Sequence, residues 1–271
     1  MSSAKAEDYI KAVYQLSDGE EAVPPSAIAD VLGVTTPTVT ATMKRLAERG
    51  LVEREEYKGS HLTDEGELMA LETIRHHRLL ELFLIEQLNY DWAEVHEEAD
   101  RLEHHISEKL ETEIATVLGD PTADPHGAPI PSPDLEPLDD DLALLSTHEE
   151  GDVVRVERVR DDDPEVLTYL DRAGVVPGAR FEIIEIAPFD MVTLAPLEDE
   201  GSEGEERYGR DEGGEGYGEE DAEGTTTARN DGSNDDLDDA AAESIPLPKE
   251  VAVTVSVREA TPPRNEPPVV N

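Results

Sequence analysis

The sequence contains no cysteine. Disulfides and thiolate ligands are therefore excluded, and any metal site must be built from oxygen and nitrogen donors, which rules out cysteine-based structural zinc. Basic residues are scarce too: Lys and Arg number 22 against 66 Asp and Glu, for a formal net charge of -44. Such a balance ordinarily argues against a partner as negative as DNA. Here the acid excess runs through nearly every segment and the few basic residues favour Arg over Lys. The simplest physical reading is a halophile protein built for molar salt, where the Debye length falls to roughly 3 Å and repulsion is screened. Counterion release then loses most of its advantage, so specific DNA binding leans on short-range fit and base contacts. A long hydrophobic run is missing as well. The most apolar stretch, Leu79 to Leu88, is interrupted by Glu81, Glu86 and Gln87, and no apolar segment follows a basic start. A soluble, cytoplasmic protein with no membrane partner is expected.

What is present reads as a mainly α fold with a small β portion. The 271 residues, 37% of them hydrophobic, allow two or three modest domains. A first helix covers residues 4 to 17 and stops at Gly19; a second, Ser26 to Leu32, stops at Gly33. Thr36-Pro37 predicts a third start, with Thr36 as N-cap and Pro37 at the first position, running to Arg49. Leu51 to Arg54, a turn around Lys58-Gly59, and Ser60 to Leu62 make a short hairpin. Helix, helix, turn, helix, hairpin is the winged helix-turn-helix order, assigned to residues 1–63.

Residues 64–120 predict two long helices, one from Thr63-Asp64-Glu65 to Gln87 and one from Asp91 to Leu118. Leu79, Leu82, Phe83 and Leu88 offer an apolar surface that either dimerises the chain or faces its own core. Residues 121–147 are Pro- and Asp-rich and read as a tether. The β domain, 148–259, has strands at Asp152 to Val159, Arg180 to Ala187, Met191 to Leu197 and Glu250 to Val257, with a helical turn from Glu165 to Arg172. Within it, 198–244 is an acidic insertion that cannot bury a core and is expected to be disordered, as is the tail 260–271.

Chemistry concentrates on the second long helix. His96, Asp100, Glu103 and His104 share one predicted helical stripe beside the apolar positions Val95, Ala99, Leu102, Ile106 and Leu110. A second pair, His77 and Glu81, stands at i to i+4 spacing one helix earlier. A solvated charged face is the ordinary explanation of such acids. Histidine at both ends and the repeated spacing favour a divalent cation instead. Paired-iron enzymes use Glu-x-x-His on two helices, which this stripe lacks, so an enzyme or a metal store is a distant alternative. On the third helix Thr36, Thr38, Thr40, Ala41, Lys44 and Arg45 face outward, while Val39, Met43 and Leu46 face inward. Hydroxyls and methyls suit base edges, and Lys44 and Arg45 suit phosphates. Together these features predict a metal-gated regulator that binds double-stranded operator DNA as a homodimer. A winged-helix regulator indifferent to metal is the second reading.

The amino-terminal region, the run His76-His-Arg-Leu at 76–79, Val95 to His104, and Asp124-Pro-His-Gly-Ala-Pro-Ile-Pro131 resemble the metal-dependent repressors of the diphtheria-toxin-repressor and manganese-transport-regulator family. The β domain resembles the SH3-like, FeoA-type β-barrel domain of its longer members. The resemblance implies one metal site from Asp8, Asp100, Glu103 and His104. A second would use His77 and Glu81, completed by His96 or by Asp124 and His126, with Asp162 and Glu165 lent by the β domain. It also implies Mn²⁺, or else Fe²⁺, as the ion, a pseudo-palindromic operator, and repression of metal-uptake genes when the ion is plentiful. His76 and His105 match no ligand position and are expected at the surface. Two departures stand out. Lys11 sits where some manganese members place a further carboxylate, so a tight two-manganese cluster of that type is not expected. Ala41 replaces a Gln that iron repressors turn to the operator.

Overall fold

A computed structural model describes residues 3–17, 21–138, 142–160, 163–187, 191–197 and 244–260. The acidic insertion, save its last residue, and the tail beyond residue 260 lie outside the described residues, as does Asp162.

Helices α1 (Ser3–Leu16), α2 (Pro25–Val31) and α3 (Thr36–Glu48) precede a hairpin of β1 (Val52–Glu55) and β2 (Gly59–Leu62), paired Val52 to Leu62 through Glu55 to Gly59. Ile10, Val13, Ile28, Val39, Met43, Leu46 and Leu51 close one core beneath them. The helix–turn–helix and its wing are thus as the apolar spacing predicts. One detail differs: Thr35, in an extended conformation, is the N-cap of α3, so Thr36 and Pro37 both lie in the first turn. Tyr57 forms the wing tip at φ 65° and is 98% exposed.

Thr63 accepts from Gly66 N and opens α4 (Asp64–Leu88), whose first turn holds Asp64, Glu65 and Glu67 against the positive end of the helix dipole. Asn89, left-handed at φ 54°, ends it. Helix α1 packs along α4. The expected second long helix is two: α5 (Val95–Leu102) and α6 (Glu108–Val117). The apolar period runs on through Ile106 and Leu110, but Ser107 turns its hydroxyl to Leu110 N and caps a new helix, so residues 103–107 form a turn. The proposed dimer surface also divides. Leu79 and Leu82 are buried within the chain, where Leu79 packs with Leu80, Ala99, Ile114 and Ile130, whereas Leu88 is exposed.

Residues 122–131, expected as part of a tether, form a partly buried strap against α4. Arg75 donates to the carbonyl of Pro131 and Arg78 to that of Pro129, while Trp92 Nε1 donates to Pro125 O at 2.9 Å. The strap also meets the β domain, since Val159 N donates to His126 O at 2.8 Å. Gly127 permits the approach: it sits at φ 86°, and a Cβ there would lie 2.0 Å from Glu157 O. Proline-rich composition misled the sequence reading because the strap's backbone groups are satisfied by side chains of distant helices, which no local pattern reveals.

Beyond the strap, β3 (Ala143–Leu144), β4 (Val153–Val159), β5 (Arg180–Ala187), β6 (Met191–Leu197), β7 (Ile245–Pro248) and β8 (Val255–Glu259) pair antiparallel in the order β3-β8-β4-β5-β6-β7. Among the described residues this is an open six-stranded sheet, curved by register shifts at Val156/Arg158 and Ile183/Glu185, where a closed SH3-like barrel was expected. Helix α7 (Pro164–Arg172), capped by Asp163, buries Leu167 and Leu170 in its core. The strand expected from Glu250 starts at Val255, because Val251 and Ala252 belong to a helical turn, α8 (Lys249–Ala252). Strand β7 escaped notice because it carries Pro246 and Pro248, which an edge position tolerates.

Candidate metal centre and nucleic-acid interface

Asp8 lies on α1, His77 and Glu81 on α4, His96 and Asp100 on α5, Glu103 and His104 in the turn after it, and Asp124 and His126 on the strap. Packing of α1 and α5 against α4 brings them together as three groups: Asp8, Glu103 and His104; His77, His96 and Asp100; and Glu81, Asp124 and His126. Within each group the candidate ligand atoms lie within 4.8 Å of one another. The expected stripe is therefore split. α5 ends at Leu102; Asp100 groups with His96 and His77, Glu103 and His104 group with Asp8, and Glu103 Oε2, 2.6 Å from His77 Nδ1, links the two.

In the first group His104 Nε2 lies 2.8 Å from Asp8 Oδ1 and 3.5 Å from Glu103 Oε1. Its Nδ1 donates to Glu7 Oε2 at 2.7 Å. Glu7 holds the ring with Nε2 turned into the group, the orientation that metal-binding histidines obtain from an outer carboxylate. Sequence reasoning missed Glu7; its place beside Asp8 on α1 carried no distinguishing signal.

Glu81 sits between the other two groups. Its Oε1 lies 3.0 Å from His77 Nε2 and 3.1 Å from His96 Nδ1, and its Oε2 lies 3.8 Å from His126 Nδ1. His126 Nε2 is 3.0 Å from Trp92 O, a carbonyl that can only accept, so Nε2 carries a proton and Nδ1 faces Glu81. Asp124 uses Oδ1 to accept from His126 N and Ala128 N, while Oδ2 faces Arg78 Nε at 3.5 Å. All three side chains of this group are buried. Glu165 is exposed in the first turn of α7 and belongs to none of the groups. His76, expected at the surface, is buried between Glu103 O and Glu111, whereas His105 is exposed.

Lys11, three residues after Asp8 on α1, enters the same space. Its Nζ lies 2.8 Å from Glu103 Oε2, 3.1 Å from Asp100 Oδ1 and 3.2 Å from His77 Nδ1. These charges shape the titration. Burial and the Lys11 ammonium oppose charge on His77, but Glu81, Asp100 and Glu103 outweigh them and hold the pKa well above that of an ordinary histidine. Burial likewise works against ionised Glu81 and Asp100. The histidines around Glu81, led by His77, and His77 with Lys11 around Asp100 hold both carboxyls well below the usual range. Burial raises Asp8, with His104 in opposition. The donors are carboxylates and imidazoles only, converging and partly desolvated, a set that fits a divalent first-row cation.

The third helix presents Thr36, Pro37, Thr38, Thr40, Ala41, Lys44 and Arg45 to solvent and buries Val39, Met43 and Leu46, with Thr42 added to the core.

A winged reading head joined through carboxylates and histidines to a helical scaffold and a small β domain defines a class of regulators. Residues 1–60 match the iron dependent repressor N-terminal DNA binding domain, 63–132 the iron dependent repressor metal binding and dimerisation domain, and 143–195 the FeoA domain. The iron-dependent repressor IdeR of Mycobacterium leprae is 34% identical over 205 residues, covering 70% of this chain and 88% of that protein. IdeR of Mycobacterium tuberculosis H37Rv is 36% identical over 203 residues, with 69% and 86% covered. The solved structure of a manganese-dependent transcriptional repressor in complex with manganese superposes with a TM-score of 0.73 at 29% identity, covering 94% of this chain and all of that one. The chain belongs to the diphtheria-toxin-repressor and manganese-transport-regulator family of metal-dependent, DNA-binding transcriptional regulators, which are not enzymes. Among the described residues no helix is long and apolar enough to cross a membrane.

Proposed function

We propose that this protein represses metal-uptake genes when Mn²⁺, favoured over Fe²⁺, is plentiful, and that Asp8, Glu103 and His104 form the gating site. A divalent cation supplies there the positive charge that lets three donors from two domains converge. The observation that carries this is the meeting of Asp8, on the first helix of the reading head, with Glu103 and His104 beyond α5. Deprotonated Asp8 then holds α1 to the scaffold and fixes the spacing of two α3 helices in a dimer, each entering the major groove of one half of a pseudo-palindromic operator. Thr36, Thr38, Thr40 and Ala41 meet base edges, and Lys44 and Arg45 hold phosphates. Oxygen-rich donors favour hard ions, which supports Mn²⁺.

Glu81, Asp124 and His126 form the second site, and the burial of these three side chains favours this set over one completed by His96. Dimerisation uses Leu110 and Val117, exposed and seven residues apart on α6, with Leu88. The division taken here is 1–63 for DNA and 64–120 for metal and dimerisation, with 121–131 joined to that scaffold and a β domain that begins at β3, before the expected residue 148. The acidity supports a cytoplasm of high salt. The test is a titration of the gene's own upstream DNA with Mn²⁺, Fe²⁺ and Zn²⁺ in molar KCl. Metal-dependent retardation by the first two is expected; equal DNA binding in chelator overturns the reading.

A further inference from the structure

Lys11 is buried to an unusual degree for a lysine, with its side chain 12% exposed, and its ammonium lies among donors of two candidate ion groups. Glu103 belongs to the group with Asp8 and His104; Asp100 and His77 belong to the group with His96. The three donor atoms sit 2.8 to 3.2 Å from Nζ, which are hydrogen-bond distances. Metal–ligand bonds to such atoms are about 2.0–2.2 Å. The ammonium thus fills the space in which an ion held by His77 Nδ1 and Asp100 Oδ1 would have to stand, and it already offsets the charge of Asp100 and Glu103. An ion there would face a fixed like charge at close range, with little water between to screen it.

We propose that Lys11 acts as a resident monovalent cation that closes the His77–His96–Asp100 group to divalent ions, leaving Asp8–Glu103–His104 as the sole divalent position on that side of the cluster. Lys11 is a positioning and stoichiometry-setting residue, not a ligand. The Glu81–Asp124–His126 group holds no donor in contact with Nζ among the bonds above and remains open to its own ion. This inference rests on the metal-site reading above, and the test separates the two.

The experiment counts Mn²⁺ bound per chain by the full-length protein in molar KCl, using equilibrium dialysis with elemental analysis, for wild type, Lys11→Gln, Lys11→Met and Lys11→Arg. Lys11→Gln and Lys11→Met are expected to gain one ion per chain over wild type, and Lys11→Arg to keep the wild-type count. Adding His77→Ala to Lys11→Gln should remove the gained ion. Electron paramagnetic resonance gives a second readout, since two neighbouring Mn²⁺ ions broaden the six-line spectrum of an isolated one. An equal, non-zero count in wild type and both neutral variants overturns this inference alone. A count of zero in every protein overturns the metal-site reading and this inference with it.

Discussion

His104 Nε2 stands 2.8 Å from Asp8 Oδ1, so a histidine from the turn after α5 meets a carboxylate on the first helix of the reading head. Burial disfavours the ionised form of Asp8 before any ion arrives. Replacing it with Ala should leave the ion-free protein folded, dimeric and no less stable. What Asp8→Ala should lose is the response to metal. At an ion concentration of 100 times Kd, wild type gains about 2.7 kcal/mol of stability per site. The variant should show little of that gain from this site in thermal denaturation and no metal-dependent DNA retardation. Unchanged metal-dependent retardation would refute the coupling.

Glu7 tests the orientation of the same imidazole. Loss of a carboxylate behind a ligating histidine typically weakens metal affinity about 10–100-fold. Glu7→Ala should show a fall of that order by calorimetric titration with Mn²⁺, and Glu7→Gln, which keeps an acceptor for His104 Nδ1, a smaller one. Equal affinities in all three proteins would assign Glu7 a purely structural place.

The pH dependence of the ion-free chain follows from His77, Glu81 and Asp100. His77 is raised in the folded state, so its contribution is complete below its ordinary value of 6.5 and fades as pH climbs through the raised one. Glu81 and Asp100 are depressed from 4.5 and 3.8, so theirs are complete above those values and fade as pH falls through the depressed ones. Asp8, raised, works against folding above its ordinary 3.8. The melting temperature in chelator should therefore be highest in mildly acidic buffer and decline on the alkaline side. A steady rise between about pH 6 and pH 9 would contradict this set of charges.

The strap is tested at Arg78 and Gly127. Arg78 donates to Pro129 O and faces Asp124, and a hydrogen bond involving a charged group contributes about 1.5–3 kcal/mol. Arg78→Ala should lower stability by that order in urea unfolding and speed amide exchange at 122–131. Gly127→Ala should do more harm at the junction with β4, where the added methyl meets Glu157 O. Wild-type exchange along the strap in both variants would show that it is held by other contacts.

Periodicity and caps made much of this legible. Tyr9, Ile10 and Val13, Pro37 opening α3, Val39, Met43 and Leu46 inside it, and the wing residues all follow local rules that their surroundings reinforce. The candidate ligands were legible as residue types at helical spacing, and the absence of cysteine limited their chemistry to oxygen and nitrogen. Grouping of the ligands was not legible. α5 ends at Leu102 and Ser107 caps a new helix, so of the expected stripe only His104 turns wholly to Asp8, while Asp100 and Glu103 both reach His77 and Lys11. The strap misled by its prolines, and β7 by its own. Which imidazole meets which carboxylate depends on how α1, α5 and residues 122–131 settle against α4, contacts between positions as distant as Asp8 and His104. A sequence sets the local preference of each segment. Long-range packing, a property of the whole chain, placed Lys11 among Glu103, Asp100 and His77, and put Glu81 at the meeting point of two clusters.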